Sequence, residues 1–305
     1  MSDSETSRSS GDASATSRAS QPAIIAHRGF AGVYPENTLR AVRAALGPPN
    51  VGQNATDADQ HDADAIEVDV MATRDGELVV FHDRDLARVT AATDDRDRRP
   101  IWELTYEELQ RVDLFESGEA VPTLSAVLDV VPADVPVNVE LKNPGADTVR
   151  PGERLDRRER EAAFDRWLPF VERVVDCTDA SDHDLLVSSF CEGALAAMRE
   201  VAPDVSIASV FWDSIERGLA VTHRYDCEVL HLPRNMVAGT SLFNDDYVAP
   251  GPFEPVDLVS LAHEEGRRVN VWTVDTWWQA AELERAGVDG LIADYPGLLR
   301  HLDAD

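Results

Sequence analysis

Short apolar runs alternate with stretches of helical spacing along most of the chain. The run AIIAH at 23–27 precedes NTLRAVRAALG at 37–47, where Asn37 or Thr38 is suited to cap a helix. With ELVVFHD at 77–83 counted as an extension of the second strand, this pattern predicts eight strands, which begin near residues 23, 64, 136, 185, 205, 228, 268 and 289. Strands that alternate with helices form parallel sheets, so an α/β fold is predicted, namely a TIM (β/α)₈ barrel.

An open, doubly wound sheet is the alternative arrangement of the same elements. Such sheets often carry a GxGxxG turn after the first strand, and HRGFAG at 27–32 does not match it. The barrel is therefore the favoured fold.

Two segments interrupt the alternation. Residues 84–121 contain a short helical stretch, TYEELQRV, and are predicted to be a small subdomain inserted after the second strand. Residues 238–254 follow the sixth strand, where a long loop forms either a wall of the substrate site or a surface insertion. The Ser-rich residues 1–21 are predicted to be a disordered tail, which leaves 22–305 as the barrel domain.

The chain is strongly acidic, with 57 Asp and Glu against 28 Lys and Arg and a formal charge of −29. This charge argues against nucleic-acid binding and against stable association with anionic membranes. Lys142 is the only lysine, and an acidic, lysine-poor surface is expected of a halophilic protein, although an ordinary acidic protein is the alternative. Three cysteines without motif spacing and no secretory signal predict a cytoplasmic location.

Carboxylates stand at the carboxyl ends of the second and third predicted strands. Side chains at i and i+2 share a face of a strand, so Glu67 and Asp69 form one pair, and Glu140 shares its face with Lys142. In a barrel these strand ends meet at one mouth. Three carboxylates do not stay ionised together in a confined site without a cation, and oxygen ligands suit Mg²⁺ or Ca²⁺.

Cationic and titratable side chains occupy the neighbouring strand ends. Arg28 and Lys142 would surround an anion, and arginine suits bidentate recognition of phosphate. His27 and His82 titrate near neutral pH and are suited to acid and base roles. A metal, a phosphate clamp and two histidines together indicate metal-assisted phosphoester chemistry.

The ordered motifs HRGFAGVYPENT, EVD, HD and ELK resemble the signature of the glycerophosphodiester phosphodiesterase family. VSSF, VNVWTVD and GVDGLIADYP fit the same family, and the resemblance runs from about residue 23 to about residue 299. It implies a TIM barrel with a small insertion after the second strand. Ala293 stands where the family often carries threonine, a departure that affects no proposed role.

The resemblance implies a role for each motif residue. His27 and His82 would be the general acid and base, and Arg28 and Lys142 the phosphate clamp. The implied metal ligands are Glu67, Asp69 and Glu140. Glu36 and Asn37 would support the site, and Trp272 is either a wall for the substrate or a core aromatic.

The implied activity is metal-dependent hydrolysis of glycerophosphodiesters, which are deacylated phospholipids, to glycerol phosphate and an alcohol. Two alternatives stay open. A reaction like that of phospholipase C or sphingomyelinase D uses a related barrel, but it acts at membranes and calls for apolar or basic surface loops. A barrel that only binds phosphorylated ligands would lack one of the catalytic or metal positions, all of which are filled here.

Overall fold

The computed structural model describes residues 21–47, 63–90, 98–249 and 251–300. The predicted tail at 1–21 lies outside this part of the chain except for Gln21. The strands are β1 (Ala23–His27), β2 (Ala65–Ala72), β3 (Leu78–Val80), β4 (Val137–Asn143), β5 (Leu185–Ser189), β6 (Ser206–Val210), β7 (Val229–Pro233), β8 (Arg268–Val274) and β9 (Gly290–Ala293). The α-helices are α1 (Leu39–Ala45), α2 (Tyr106–Leu109), α3 (Leu124–Leu128), α4 (Arg157–Thr178), α5 (Glu192–Val201), α6 (Ile215–Arg224), α7 (Leu258–Glu264) and α8 (Trp277–Arg285).

Eight parallel strands close into a barrel. The sheet runs in the order β1-β9-β8-β7-β6-β5-β4-β2-β3, and an additional β1–β2 pairing closes it. β3 is antiparallel to β2 and forms the outer arm of a hairpin. The predicted (β/α)₈ barrel is therefore confirmed, and the open sheet is excluded.

Alternation along the strands separates the chemistry from the packing. Val68 and Val70 of β2 belong to the large hydrophobic core, whereas Glu67 and Asp69, which alternate with them along the strand, belong to the polar centre. All four side chains are at most 2% exposed. Residues that alternate in a strand face opposite sides of the sheet, so one short strand both holds the core and delivers two carboxylates.

The segment after β3 has a hydrophobic cluster of its own, separate from the main core. The cluster comprises Met71, Val79, Phe81, Leu86, Val89, Ile101, Leu104, Leu109, Leu114 and Val121. Thr105 caps α2 with a reciprocal capping box to Glu108. Because Met71, Val79 and Phe81 belong to the β2–β3 hairpin or follow it directly, the cluster anchors this segment beside the barrel mouth.

Several helices begin after a residue whose side-chain oxygen accepts a hydrogen bond from a backbone amide of the first turn. Thr38 caps α1 by accepting a hydrogen bond from the Ala41 amide, and Asp156 and Thr276 cap α4 and α8 with capping boxes. Of the two residues predicted to cap α1, Thr38 is thus the one used. No helix among the described residues has both the length and the apolar character needed to cross a bilayer.

Candidate active site

A cavity of about 400 Å³ opens at the carboxyl ends of the barrel strands. Its lining includes His27, Arg28, Glu67, His82, Asn138, Glu140, Lys142, Phe190, Val210, Trp212, His231, Tyr247, Val248, Trp272, Thr273 and Ile292. The barrel thus gathers residues from distant parts of the chain around one space.

The HRG segment turns sharply after β1 and aims Arg28 into the site. Arg28 has φ 51° and Gly29 has φ 78°. A left-handed backbone at a non-glycine residue costs on the order of 1–2 kcal/mol. A Cβ on Gly29 would lie 2.8 Å from the Ala41 Cβ, so only glycine lets α1 pack this close. The amide of Arg28 donates to Glu67 Oε2 at 2.9 Å, which helps to hold the strained turn.

Three carboxylates meet as predicted. Glu67, Asp69 and Glu140 each offer an oxygen, and these atoms lie within 4.8 Å of one another. β-sheet register explains the meeting, because Asp69 of β2 pairs with Glu140 of β4. Lys142 Nζ lies 2.7 Å from Glu140 Oε1 and 3.1 Å from Asp69 Oδ1. Arg28 Nε lies 3.1 Å from Asp69 Oδ2.

The PENT segment supports this cluster. Asn37 donates from Nδ2 to Asp69 Oδ2 at 2.8 Å, and its own Oδ1 accepts from the Asp69 amide at 3.4 Å. Glu36 Oε1 accepts from Arg28 Nη1 at 2.9 Å. Glu36 thus contacts Arg28, and Asn37 contacts the proposed metal ligand Asp69.

Each site histidine is held by an aspartate. His27 Nδ1 lies 2.6 Å from Asp294 Oδ1, and His82 Nδ1 lies 2.7 Å from Asp83 Oδ1. A carboxylate on Nδ1 accepts the N–H and leaves Nε2 as the free atom of the ring. Both rings line the cavity.

Arg88 links the two halves of the site from the segment after β3. Its Nε donates to Asp83 Oδ2 at 2.6 Å, and its Nη1 and Nη2 donate to the two oxygens of Glu36 at 2.8 and 2.6 Å. Burial raises the pKa of Asp83, but the hydrogen bonds from His82 and Arg88 outweigh it and hold this pKa below its usual range. Asp83 therefore stays ionised beside His82.

The charges of the buried centre do not balance. Burial raises the pKa of Asp69, but Lys142 and Arg28 outweigh it and hold the carboxyl ionised. Burial lowers the pKa of Lys142, but Asp69 and Glu140 raise it more. Burial raises the pKa of Glu67 well above its ordinary value, and the charges of Asp69 and Glu140 add to the effect. Glu67 is thus the carboxyl group that is hardest to ionise when no cation is bound.

The carboxylates fit a divalent cation. Glu67 Oε1 is buried and has no hydrogen-bond partner among the described residues. A buried, unpartnered carboxylate oxygen is costly, and a hard cation with oxygen ligands relieves that cost. Three carboxylates against Arg28 and Lys142 leave one negative charge, which a divalent ion converts to one positive charge.

Aromatic side chains wall the cavity. Trp272 packs against Phe190 with ring centroids 5.6 Å apart and against Tyr247 at 6.3 Å. It is half-buried and lines the cavity, which favours a wall over a core aromatic, while its contact with substrate stays a prediction. A second cavity, of about 350 Å³, adjoins the first and shares His82, Glu140 and Lys142 with it.

Two contributors to the site, Asp294 and Arg88, were not identified from the sequence. Asp294 follows β9 in the motif LIADYP, and its place at a strand end was the available signal. Apart from its place shortly after the HD motif at 82–83, nothing in the sequence around Arg88 indicates a role in the site. Tyr247 lies in the loop at 238–254 and lines the cavity, so this loop forms part of the cavity wall.

A (β/α)₈ barrel with a carboxylate and cation centre between two His–Asp pairs has the features of a phosphoester hydrolase. The model of the glycerophosphoryl diester phosphodiesterase family matches residues 27–298. The chain belongs to this family, and the resemblance seen in the sequence is confirmed.

Several known proteins are similar over nearly the whole length. A glycerophosphodiester phosphodiesterase of Bacillus altitudinis is 29% identical over 283 residues, which cover 90% of this chain and 94% of that protein. One from Caldanaerobacter subterraneus subsp. tengcongensis is 28% identical over 288 residues, with coverage of 92% and 96%. An Oleispira antarctica phosphodiesterase, solved in complex with the product sn-glycerol-3-phosphate, superposes with a TM-score of 0.67 at 24% identity and covers 93% of this chain and 98% of that one. This last likeness shows the shared fold.

Proposed function

We propose that this chain hydrolyses glycerophosphodiesters, the deacylated phospholipids, to glycerol phosphate and an alcohol. The observation that carries the proposal is that one cavity is lined by the carboxylate and cation centre and by two histidines, each held at Nδ1 by an aspartate. Family membership and the names of the relatives support the same reaction.

The charge of the centre suits a diester. With a divalent ion bound, the three carboxylates and two cations carry one net positive charge, and a phosphodiester carries one negative charge. A phosphomonoester carries close to two at neutral pH and would leave the buried site negative. The proposal assigns the phosphate oxygens to Arg28 and Lys142, which stabilise the charge that develops on them.

Two connected cavities also suit a diester, because such a substrate has an organic group on each side of phosphorus. The cavity at Trp272 and the cavity at Trp102 meet at His82, Glu140 and Lys142. We place the glycerol in the first cavity and the alcohol in the second. Trp102, which lines only the second cavity, then lies beside the leaving alcohol, and Trp212 lines both cavities.

The two histidines move the protons. One imidazole Nε2 takes the proton of the glycerol 2-hydroxyl as its oxygen bonds to phosphorus, and the other protonates the alcohol oxygen as its bond to phosphorus breaks. Water then opens the cyclic phosphate by the reverse transfers. Asp83 and Asp294 fix the ring orientations throughout. A diester without this hydroxyl that was cleaved at the normal rate would contradict the route.

Glu67, Asp69 and Glu140 are the proposed ligands of Mg²⁺ or Ca²⁺. When bound, the ion supplies positive charge to the phosphate oxygens and lowers the barrier to attack. The acidic composition supports our proposal of a halophilic protein, for which activity in molar KCl is the test. A cytoplasmic location is a separate proposal.

Release of glycerol phosphate tests the activity. The protein, purified in high salt, is given glycerophosphocholine, glycerophosphoethanolamine and glycerophosphoglycerol with Mg²⁺, with Ca²⁺ and with a chelator. We expect release that depends on the ion. If none of these diesters is cleaved with either ion, the proposed function is wrong.

Replacing Arg88 with alanine is expected to lower kcat by about 10- to 100-fold, the usual effect of losing a group that orients an active-site residue. Arg88 fixes Asp83 and Glu36, which in turn hold His82 and Arg28, so its loss should disorder both catalytic side chains and lower kcat. Arg88→Lys, which contacts only one partner at a time, should be intermediate. Arg111→Ala is the control, since Arg111 lies in the same segment and pairs only with exposed Glu107 among the described residues. A wild-type kcat in Arg88→Ala would remove Arg88 from the positioning role.

A further inference from the structure

The connection that follows β7 forms one side of the catalytic cavity. Tyr247 and Val248 line the cavity, and the Tyr247 ring packs against Trp272 with centroids 6.3 Å apart. Residues 244–249, which include both, are called the wall segment. The backbone of this segment belongs to neither a helix nor a strand. Its conformation therefore depends on hydrogen bonds and packing from other parts of the chain.

Asn235 fixes the backbone of the wall segment. It lies in the 3₁₀ turn Arg234–Met236 directly after β7 and is fully buried. Its Nδ2 donates to the carbonyls of Asp245 at 3.0 Å and Ala249 at 2.9 Å. Its own carbonyl accepts from the Asn244 amide at 3.0 Å. Both hydrogens of one buried amide are thus used to hold the two ends of the same short segment.

Arg234 fixes the aromatic ring of the wall segment. Its guanidinium carbon lies 3.6 Å from the centroid of the Tyr247 ring, so the two planar groups stack. Arg234 Nη1 also donates to the Thr273 carbonyl and, at 3.0 Å, to Asp275 Oδ2. The Tyr247 hydroxyl accepts from the Thr273 amide at 3.1 Å. The ring is therefore held between Arg234 and the end of β8.

We propose that Arg234 and Asn235 are positioning residues that preform the substrate wall of the catalytic cavity. This inference rests on the proposed function, because it gives the two residues a part in binding the diester. Neither side chain belongs to the cavity lining. Asn235 acts through the backbone of the wall segment, and Arg234 acts through the Tyr247 ring. A wall that is ordered before substrate arrives loses little conformational entropy on binding, so substrate binds more tightly.

A purely structural role is the competing interpretation. The partners of the two side chains argue against it, because they lie in the wall segment or at and just after the end of β8. Tyr247 and Thr273, which Arg234 contacts, both line the cavity. Contacts that served only the stability of the barrel would have no reason to converge on cavity-lining residues.

Steady-state kinetics on glycerophosphocholine test the proposal. In Asn235→Asp the side chain keeps its size, but it loses both donors and turns a carboxylate oxygen toward two carbonyls. We expect KM to rise about tenfold or more, the effect of losing a contact in a binding pocket. We expect kcat to stay within about threefold, since loss of uniform binding raises KM alone. If another diester proves to be the better substrate, it replaces glycerophosphocholine.

Arg234 provides a second, graded pair of variants. Arg234→Gln removes the cation from the Tyr247 ring and should raise KM in the same way as Asn235→Asp. Arg234→Lys keeps the charge beside Asp275 but loses the planar stack, so its KM should be intermediate. A wild-type KM in both Asn235→Asp and Arg234→Gln, or a fall in kcat with no rise in KM, overturns the inference.

Ser241→Ala is the matched control. Ser241 lies in the same connection after β7, but its hydroxyl donates to Glu282 of α8, outside the wall segment. This variant also loses a hydrogen bond of the connection, and it should keep the wild-type KM and kcat. A rise in KM as large as that of Asn235→Asp would show that any lost contact in the connection has this effect, and the positioning role would be wrong.

A double variant shows whether the two residues act through the wall. Tyr247→Ala removes the cavity-lining ring and should itself raise KM. Adding Asn235→Asp or Arg234→Gln should then change KM by less than about twofold, because substitutions that act by one route are not additive. Full additivity would place their effect elsewhere and overturn the inference.

Cleavage by chymotrypsin after Tyr247 reports on the wall segment without any turnover. Proteases cut segments that open locally, so cleavage at this site should be about tenfold faster or more in Asn235→Asp and Arg234→Gln, and unchanged in Ser241→Ala. Equal rates in all these proteins would show that the pair does not hold the segment. If Asn235→Asp does not fold, Arg234→Gln, whose side chain is partly exposed, carries the same tests. If the wild type cleaves no diester, the proposed function itself fails, and proteolysis still decides whether the pair holds the wall.

Discussion

Replacing His82 or His27 with alanine is expected to lower kcat by about 10²- to 10⁴-fold, the range that general acid–base catalysis contributes. Each ring has Nδ1 bound to an aspartate, and the two rings line the cavity from different strand ends, His27 from β1 and His82 from just after β3. Loss of one ring removes one of the two proton transfers, so one limb of the bell-shaped pH profile should disappear in each variant.

An activated leaving group distinguishes the acid from the base. p-Nitrophenolate leaves from a glycerophosphodiester without protonation, so the variant that lacks the general acid of the first step should release the first equivalent of p-nitrophenol at most of the wild-type rate. The variant that lacks the general base should not. Rescue of both variants, or of neither, would contradict the division of roles between the two histidines.

A histidine pair elsewhere on the barrel provides the control. His263 Nε2 lies 2.9 Å from Asp289 Oδ2, which resembles the site pairs in geometry but lies away from the cavity mouth. His263→Ala should keep wild-type kcat. Near-normal activity in either His27→Ala or His82→Ala would show that the acid–base assignment is wrong.

The parts of the fold that were predictable are those encoded in short stretches of sequence. Alternation of apolar runs and helical stretches predicted the barrel, and the two-residue spacing of Glu67 and Asp69 predicted that they share a face. The strand register then brings Glu140 beside Asp69, as expected for neighbouring strand ends. Their assignment as metal ligands stays a proposal.

Contacts that depend on barrel closure were not predictable from local patterns. Asp294 lies 267 residues from His27 along the chain, and only the pairing of β9 with β1 places the two together. Arg88 reaches Glu36 because the segment after β3 folds back over the mouth. The spacing of apolar and polar residues therefore predicts neither the His27–Asp294 contact nor the Arg88–Glu36 contact.

Composition also gives no indication of the exposed aromatic residues at the barrel mouth. The chain is strongly acidic overall, yet Trp277 and Trp278 are 60% and 42% exposed at the start of α8, which follows β8. Total charge averages over the whole surface, so it does not show where a few aromatic residues are placed. Their position becomes visible only when strand order identifies the end of the barrel on which each loop lies.

Replacing Glu67 with glutamine is expected to have opposite effects on stability with and without a divalent ion. In a chelator the wild type buries the Glu67 carboxyl group with one unpartnered oxygen and a pKa raised by burial, Asp69 and Glu140, a cost of about 1–3 kcal/mol that a neutral amide reduces. The variant should then unfold at the same or a higher temperature than the wild type. With Mg²⁺ or Ca²⁺ at a hundredfold excess over its Kd, the wild type should gain about 2.7 kcal/mol, and the variant little.

Unfolding temperatures measured with chelator and with each ion test this reversal in relative stability. Calorimetry should show one ion bound per wild-type chain. The Kd should be raised more than about tenfold in the variant, because the number of carboxylate ligands tunes such affinities. Glu192→Gln is the matched control. Glu192 is also buried, but it is bound to Arg224 and Tyr225, so its loss should destabilise the protein equally with and without the ion. If the ion stabilises Glu67→Gln as much as the wild type, the three carboxylates are not its ligands, and the charge of the centre must be balanced in another way.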